Sequence, residues 1–271
     1  MKHIILRKRI LLNLLFVTLA VFTVTGCRSV PYTGRSQLMM SSESTENQMG
    51  EEAWQEMSKT TKASRDPMMN GALNRVGKNI AAAAEKPEYN WEFKVFEMKE
   101  PNAFCLPGGK VAATTGIFSF FANDAEMAAV VGHEVGHAIA RHSGERMSQG
   151  IFQSVGAVAL SVVTSQTGAQ EAYSAVTELG LMLPYSRTQE YEADQLGIIF
   201  MAKAGYDPAA SLTFWDKFGK LGSNSRAKEL LSTHPIGEKR LQELKDMYPK
   251  AMEYYNKAKT KRGLGEIYSK K

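Results

Sequence analysis

Two histidines four residues apart, with a glutamate directly after the first, are the residues of this chain best suited to metal chemistry. They stand in the sequence His133-Glu134-Val135-Gly136-His137. On an α-helix, positions i and i+4 lie about 40° apart around the axis, so both imidazoles can face one ion. Imidazole is a common zinc ligand, and Glu134 is close enough to take a proton from an attacking water. The pattern predicts hydrolysis assisted by one Zn²⁺ per chain, with Glu134 as the base.

The surrounding segment has the features of a capped, partly buried helix. Asn123 can cap its N-terminus, and Glu126 follows three residues later, as in a capping box. Met127, Val130 and Val131 are apolar neighbours of the metal-binding pattern. This context favours a metal site over the alternative, a pair of ordinary core or surface histidines.

A catalytic zinc needs a third protein ligand and one open position. The metzincin pattern would supply a nearby glycine and histidine, but those positions hold Ala140 and Ser143. His142 follows His137 by five residues, about 140° around a continuous helix, and is predicted to point elsewhere. The third ligand must therefore come from a distant segment.

Residues 186–194 are the best source of that ligand. Glu190 and Asp194 are four residues apart and share one helix face, whereas Glu192 is predicted to point nearly opposite. One carboxylate could bind the metal while Asp194 holds a ligand histidine in its tautomer. The alternative is a solvated helix face on which these acids pair with Arg187.

His234 is a candidate catalytic residue whose role the sequence leaves open. It precedes Pro235, which favours an extended conformation at a helix entrance. Its imidazole could stabilise the oxyanion as a donor, or bind zinc and fill the open position. The third possibility is an exposed histidine in a helix-capping loop.

A short segment after the turn at Pro107-Gly108-Gly109 is predicted to bind substrate. An exposed edge strand there could pair with an extended peptide through its backbone, which would give broad specificity for unfolded segments. The predicted substrate-binding residues are Val111, Ala112, Ala113 and Thr114.

Hydrophobic periodicity predicts a mostly helical α+β fold with a small β-sheet packed on the active-site helix. A half-buried strand begins at Trp91, and two short strands lie within 102–115. A buried or partly membrane-facing helix, too short to span a bilayer, covers 151–163. The other helices are predicted at 43–59, from Asp66-Pro67 onward, at 186–204, from Asp207-Pro208 onward, and from Pro235 to about residue 248.

The N-terminus has the pattern of a targeting signal. Basic residues precede an apolar run at 10–24, and Val24-Thr25-Gly26-Cys27 resembles a bacterial lipobox, in which the cysteine is lipidated. The alternatives are an uncleaved anchor or an ordinary signal peptide. Arg28 rather than aspartate follows the cysteine, which favours the outer membrane, facing the periplasm. The predicted organisation is a signal peptide at 1–26, a lipidated tether at 27–42, a zinc metallopeptidase domain at 43–250 and a basic tail at 251–271.

Charge and cysteine content limit the possible partners. The net charge is +5, but the signal segment contributes four of those charges, so the mature chain is nearly neutral and gives no argument for nucleic acid. The chain has two cysteines. If Cys27 carries lipid, Cys105 has no disulfide partner and is predicted to be a small apolar residue in a strand.

The chain resembles the HtpX-like and CAAX-prenyl-protease-type zinc metallopeptidases, which are gluzincins, and in particular their soluble periplasmic lipoprotein branch. The resemblance covers about residues 30–245. Cys105 departs from the family pattern, and the long transmembrane helices of the integral-membrane relatives and a helical repeat domain after the peptidase core are missing. The matching segments, in family order, are Asn102-Ala103-Phe104 with Leu106-Pro107-Gly108-Gly109, His133–His137, Ser186-Arg187 with Glu190-Tyr191 and Ala193-Asp194, and Ser232-Thr233-His234-Pro235.

The resemblance implies Glu190 as third ligand, Glu134 as base and a role in envelope protein quality control. The expected partners are unfolded or misfolded proteins, and the membrane through Cys27. Two other functions stay open: a zinc-containing, chaperone-like binding factor, and a structural zinc protein whose four positions are all filled by protein groups.

Overall fold

The computed structural model describes residues 27–151, 185–221, 228–263 and 265, and the chain divides into two compact units. The larger unit comprises Glu43–Ser143 and Leu181–Lys271; the smaller comprises Met1–Ser42 and Gly144–Gly180. The predicted signal peptide, and all but the first residue of the helix predicted at 151–163, lie outside the described residues. None of the described helices combines the length and hydropathy that a bilayer crossing requires.

Side-chain caps define where the main helices of the larger unit begin. The Asp66 carboxylate accepts from the backbone nitrogens of Met68 and Met69, and Asn123 accepts from that of Glu126. Ser186 forms a complete capping box with Gln189. The predicted starts of these helices are confirmed. The main described α-helices are α1 (Glu43–Thr60), α2 (Pro67–Ala84), α3 (Asp124–Ile139), α4 (Arg187–Lys203), α5 (Ala209–Gly219), α6 (Lys228–Thr233) and α7 (Glu238–Lys257).

Helix α7 is longer than the sequence predicts. It does not end near residue 248 but continues through Pro249 to Lys257, so the predicted C-terminal tail begins as helix. A proline inside a helix removes one backbone hydrogen bond. Leu244 and Ala251 are buried on one face on either side of Pro249, and this continuous packing explains why the helix persists.

A three-stranded sheet precedes the active-site helix. Strands β3 (Glu92–Phe96) and β5 (Lys110–Thr114) are parallel, and β4 (Ala103–Leu106) pairs antiparallel with β5, giving the order β3-β5-β4. Gly108 and Gly109, both with positive φ, form the β4–β5 turn, as predicted. Strand β4 packs against α3. The predicted mostly helical α+β fold is confirmed, and Cys105 is a buried free thiol in β4.

Strand β5 is central, and the prediction that it is an exposed edge is wrong. Both of its neighbours are strands, and Val111, Ala112, Ala113 and Thr114 are all buried. Their backbone groups are therefore committed to the sheet and cannot pair with a substrate. Strand order depends on the parallel connection from β3, which the local sequence pattern does not encode.

Helices α3 and α4 approach one another through glycines. A Cβ atom at Gly197 of α4 would lie 2.7 Å from the backbone nitrogen of His133, and one at Gly136 of α3 would lie 2.8 Å from the carbonyl oxygen of Ala193. Side chains larger than hydrogen would force the helices apart. This close approach brings the histidines of α3 beside the acids of α4.

The described part of the smaller unit begins with two short strands. Strands β1 (Cys27–Ser29) and β2 (Ser36–Leu38) pair antiparallel. The Arg35 guanidinium binds both carboxylate oxygens of Glu145 at 2.6 and 2.7 Å, and the Ser148 hydroxyl accepts from the Met40 backbone nitrogen. Residues 27–42, the predicted tether, thus include a strand pair and side-chain bonds to residues of the same unit.

Candidate metal centre

Helix α3 directs both of its histidines into the protein interior. Every residue of this helix is buried, and the Nε2 atoms of His133 and His137 lie 3.1 Å apart. The i, i+4 spacing predicted this convergence. Trp215 of α5 packs edge-on against the His133 ring and helps to exclude water from that side.

Glu190 of α4 and His234, directly after α6, complete a four-residue cluster. Their donor atoms, together with those of His133 and His137, all lie within 4.8 Å of one another. His234 is only 3% exposed, so the exposed capping-loop alternative does not hold. Its Nδ1 lies 3.0 Å from Glu190 Oε1 and 3.2 Å from His133 Nε2.

The spacing of these donors fits one tetrahedral metal ion. Ligand atoms about 2.0–2.1 Å from zinc lie about 3.3–3.4 Å from one another at tetrahedral angles. Neighbouring donors here are 3.0–3.5 Å apart. Imidazole nitrogens that face each other with lone pairs repel unless a proton or cation lies between them.

The Glu190 carboxylate is buried beside these imidazoles. Its Oε2 lacks a well-directed hydrogen bond, although Arg240 Nη1 lies 2.5 Å away. The cluster therefore has the donor types and the donor spacing of a metal site.

Glu134 lies beside the cluster without joining it. Its Oε1 is buried, lacks a hydrogen-bond partner and lies 3.5 Å from His234 Nε2. Burial raises the pKa of Glu134 above its usual value, even though His234 and His133 act to lower it. A carboxylate with a raised pKa, placed next to a metal site, is suited to accept a proton and pass it on.

Asp194 supports His133 from behind, as predicted, and a buried arginine supports Asp194. His133 Nδ1 lies 2.9 Å from Asp194 Oδ1. Arg240 of α7 donates to both Asp194 oxygens at 2.7 and 2.8 Å. Arg240 is not among the site residues predicted from the sequence. A signal exists, because Arg240, Leu244 and Ala251 recur on the buried face of α7.

Burial and neighbouring charges separate the pKa values of the two ligand histidines. Burial alone would lower the pKa of His133, but the Glu190 and Asp194 carboxylates raise it to about 9. Burial lowers the pKa of His137 well below its usual value, and the nearby Glu190 carboxylate, which acts to raise it, does not reverse this. Glu190 itself is buried, but His234, Arg240 and His133 hold its pKa well below the usual range. Without metal, His133 rather than His137 is thus the member of this pair that binds a second proton and becomes positively charged.

His142 and Glu192 lie outside the metal cluster, as predicted, but His142 contacts His137 from behind, which the sequence did not predict. His142 Nδ1 lies 2.8 Å from His137 Nδ1, and His142 Nε2 lies 3.1 Å from Glu192 Oε2. The prediction assumed that the α3 helix continues, but it ends at Ile139 and Arg141 has a left-handed backbone with φ 56°. This turn returns His142 to the back of His137.

Tyr185 is a further neighbour that the sequence analysis missed. Its half-buried ring stacks on His137, with centroids 3.7 Å apart, and lies 5.5 Å from the His234 ring. No spacing rule links Tyr185 to these histidines, since it lies in neither helix. It gives the site an aromatic wall at the start of α4.

Of the predicted lipobox, Val24–Cys27, the structure describes only Cys27. Cys27 is the first residue of β1, and the residues before it lie outside the described part of the chain. Lipidation of Cys27 therefore stays a prediction.

The fold and the site together define a metallopeptidase in which a helical His-Glu-x-x-His pair is completed by a glutamate from a following helix. Residues 67–248 match Peptidase family M48. The chain belongs to family M48, which confirms the predicted family and its metallopeptidase class.

Curated relatives agree with this assignment. Mitochondrial metalloendopeptidase OMA1 of Saccharomyces cerevisiae is 30% identical over 95% of this chain and 80% of that protein. The protein of the same name from Arabidopsis thaliana is 38% identical over 70% of this chain and 39% of its own length. The beta-barrel assembly-enhancing protease of Escherichia coli is 29% identical over 72% of this chain and 42% of its own length. The chain thus spans less than half of the plant and E. coli relatives.

Proposed function

We propose that this chain is a zinc-dependent endopeptidase of the cell envelope that hydrolyses peptide bonds in unfolded or misassembled proteins. The observation that carries the proposal is the buried cluster of His133, His137, Glu190 and His234, with Glu134 beside it. The metalloendopeptidase names of the relatives support the same reaction.

The residues divide the work of hydrolysis between them. His133, His137 and Glu190 would hold Zn²⁺, which acidifies water and polarises a carbonyl when bound. Glu134 takes a proton from the attacking water and passes it to the leaving amine. Asp194, fixed by Arg240, keeps His133 in the tautomer that presents Nε2 to the site.

His234 can serve the site in two ways. Its Nδ1 reaches the donor cluster, so it can fill the fourth metal position in a resting state. During turnover the same imidazole can instead donate a hydrogen bond to the oxyanion. A filled fourth position also suits a structural zinc protein, so turnover must be measured directly.

Strand β4 is the better candidate for substrate binding. It lies at the end of the described sheet order and packs against α3, and Phe104 and Leu106 are partly exposed. Pairing along its backbone would recognise an extended chain without reading most of its side chains. Unfolded segments would then be the substrates.

The proposed location rests on the N-terminal sequence. The apolar run at 10–24 and the lipobox-like Val24–Cys27 support export and lipidation at Cys27. Arg28 in place of aspartate supports the outer membrane. The name of the E. coli relative, beta-barrel assembly-enhancing protease, is compatible with a function at that membrane.

The decisive experiment compares wild type with Glu134→Gln in zinc content and casein cleavage. The variant should keep its metal and fold but cleave about 10²–10⁴-fold more slowly, because it lacks the general base. Glu56→Gln, at an exposed position of α1, should match wild type in both measurements. Casein cleavage by Glu134→Gln at the wild-type rate would reject the mechanism. A zinc-loaded wild type that cleaves nothing would favour the binding or structural alternatives.

A further inference from the structure

We propose that His142 and Glu192 are positioning residues that fix the tautomer and orientation of His137 for metal binding. The proposal rests on the metal centre proposed above and deepens it. The Asp194 carboxylate contacts His133 directly, whereas the Glu192 carboxylate reaches His137 through the imidazole of His142.

Three buried side chains form a continuous line behind the metal cluster. His137 Nδ1 and His142 Nδ1 are 2.8 Å apart, and His142 Nε2 and Glu192 Oε2 are 3.1 Å apart. His142 is fully buried and Glu192 is 4% exposed. Buried polar groups of this kind are retained in proteins when they are hydrogen-bonded.

The direction of the hydrogen bonds follows from the chemistry of the groups. An ionised Glu192 carboxylate can only accept, so His142 Nε2 carries the proton. Neutral His142 then has an unprotonated Nδ1, which must accept from His137 Nδ1–H. His137 is left with its lone pair on Nε2, the atom that faces His133 Nε2 and Glu190 Oε1. The line therefore selects the metal-binding tautomer.

The backbone at Arg141 creates this line. A side-chain-bearing residue rarely adopts a left-handed conformation, and Arg141 has φ 56°. The Glu46 carboxylate of α1 binds the Arg141 guanidinium through two hydrogen bonds of 2.7 and 2.8 Å. This ion pair holds the turn that places His142 behind His137. A residue that only filled space would not need its polar atoms aligned on both sides.

Measured metal affinity can distinguish a positioning role of His142 from a role in packing alone. We would titrate metal-free full-length protein with Co²⁺ against a competing chelator, for wild type, His142→Phe and His142→Asn. Phenylalanine keeps a ring but removes the acceptor, and it should weaken Co²⁺ binding about 10–100-fold. The asparagine Oδ1 can replace His142 Nδ1 as acceptor, so His142→Asn should recover most of the affinity.

Tautomers in the zinc-loaded wild type provide a test that needs no variant to fold. Long-range ¹H–¹⁵N spectra of the histidine rings should show the proton of His137 on Nδ1 and that of His142 on Nε2. A proton on His142 Nδ1, or equal Co²⁺ affinity in wild type and folded His142→Phe, would overturn the proposal. Wild type that binds neither Co²⁺ nor Zn²⁺ would instead reject the metal centre itself.

Discussion

At the scale of single residues, a proton and a metal ion would compete for the imidazole of His133. His133 is held between Asp194 and Glu190, which raise its pKa to about 9 although burial alone would lower it. A metal ion at Nε2 replaces the proton there. The metal-free site is therefore partly stabilised by a charge that the metal-loaded site does not need.

The stability of the metal-free protein should fall as pH rises from about 6.5 to 9. A group whose pKa is raised on folding stabilises the folded state fully below its unfolded pKa, near 6.5, and loses that contribution through the folded pKa. The loss should be roughly 3 kcal/mol in the free energy of unfolding. His137, whose pKa is lowered, affects stability only below about pH 6.5. Urea denaturation after chelation, at pH 6–10, measures the slope, and His133→Gln should flatten it. A flat wild-type profile would show that His133 holds no such proton.

Replacing His234 by alanine should slow cleavage of a model peptide about 10²–10³-fold, the cost of one oxyanion donor. Its buried imidazole is 3.5 Å from Glu134 and close to the donor cluster. Steady-state kinetics at saturating zinc provide the measurement. Thr233→Ala, at the adjacent partly buried position, is the control and should stay near wild type. Faster cleavage by His234→Ala would show that the residue only blocks the metal, and an unchanged rate would remove it from the mechanism.

At the scale of secondary-structure elements, the contact between α3 and α4 sets the spacing of the candidate metal donors. Gly132, Gly136 and Gly197 let the two helix backbones approach closely. The ligand histidines belong to one helix and Glu190 to the other. A small change in the separation of the helices therefore moves the carboxylate away from the imidazoles.

Gly197→Ala should destabilise the protein by about 1–3 kcal/mol and weaken metal binding, because its Cβ would meet the His133 backbone at 2.7 Å. Gly71→Ala is the matched control. Gly71 is exposed on α2, and a Cβ there would meet nothing within 4 Å. That variant should gain about 0.4–1 kcal/mol through the unfolded state. Thermal unfolding and zinc content measure both effects, and full zinc content in Gly197→Ala would separate the glycine contact from the metal site.

Local spacing predicted what lies within one helix, and failed where the chain turns. His133 with His137, and Glu190 with Asp194, follow from i, i+4 geometry. The contact of His142 with His137 does not follow from this geometry. The left-handed backbone at Arg141 interrupts the helix, and no local residue preference predicts that interruption. Arg240 reaches the site only through the packing of α7 on α4. The order β3-β5-β4 is likewise a tertiary property, so the prediction that β5 is an edge strand was wrong.

At the scale of the whole molecule, the feature to explain is the predicted membrane anchor. None of the described helices has the character of a membrane span. The sequence before Cys27 has the pattern of a lipoprotein signal. A lipid on Cys27 would place the anchor at the first residue of β1.

Cys27→Ser should release the protein from the membrane fraction, because it removes the predicted site of lipidation. Sedimentation of cell membranes followed by immunoblotting measures the distribution. Cys105→Ser changes the buried thiol of β4 and should leave the protein in the membrane fraction. A Cys27→Ser protein that still sediments would place the anchor elsewhere, with 151–163 the next segment to test.

The donor set is dispersed along the chain, and this has a consequence for biosynthesis. His133 and His137 are made long before Glu190, and His234 and Arg240 come later still. A growing polypeptide cannot assemble the centre until α4 has been made and has docked on α3. An incomplete chain with two histidines alone is a poor metal ligand. The order of the donors along the chain therefore implies that the complete centre forms only after most of the domain has been made and folded.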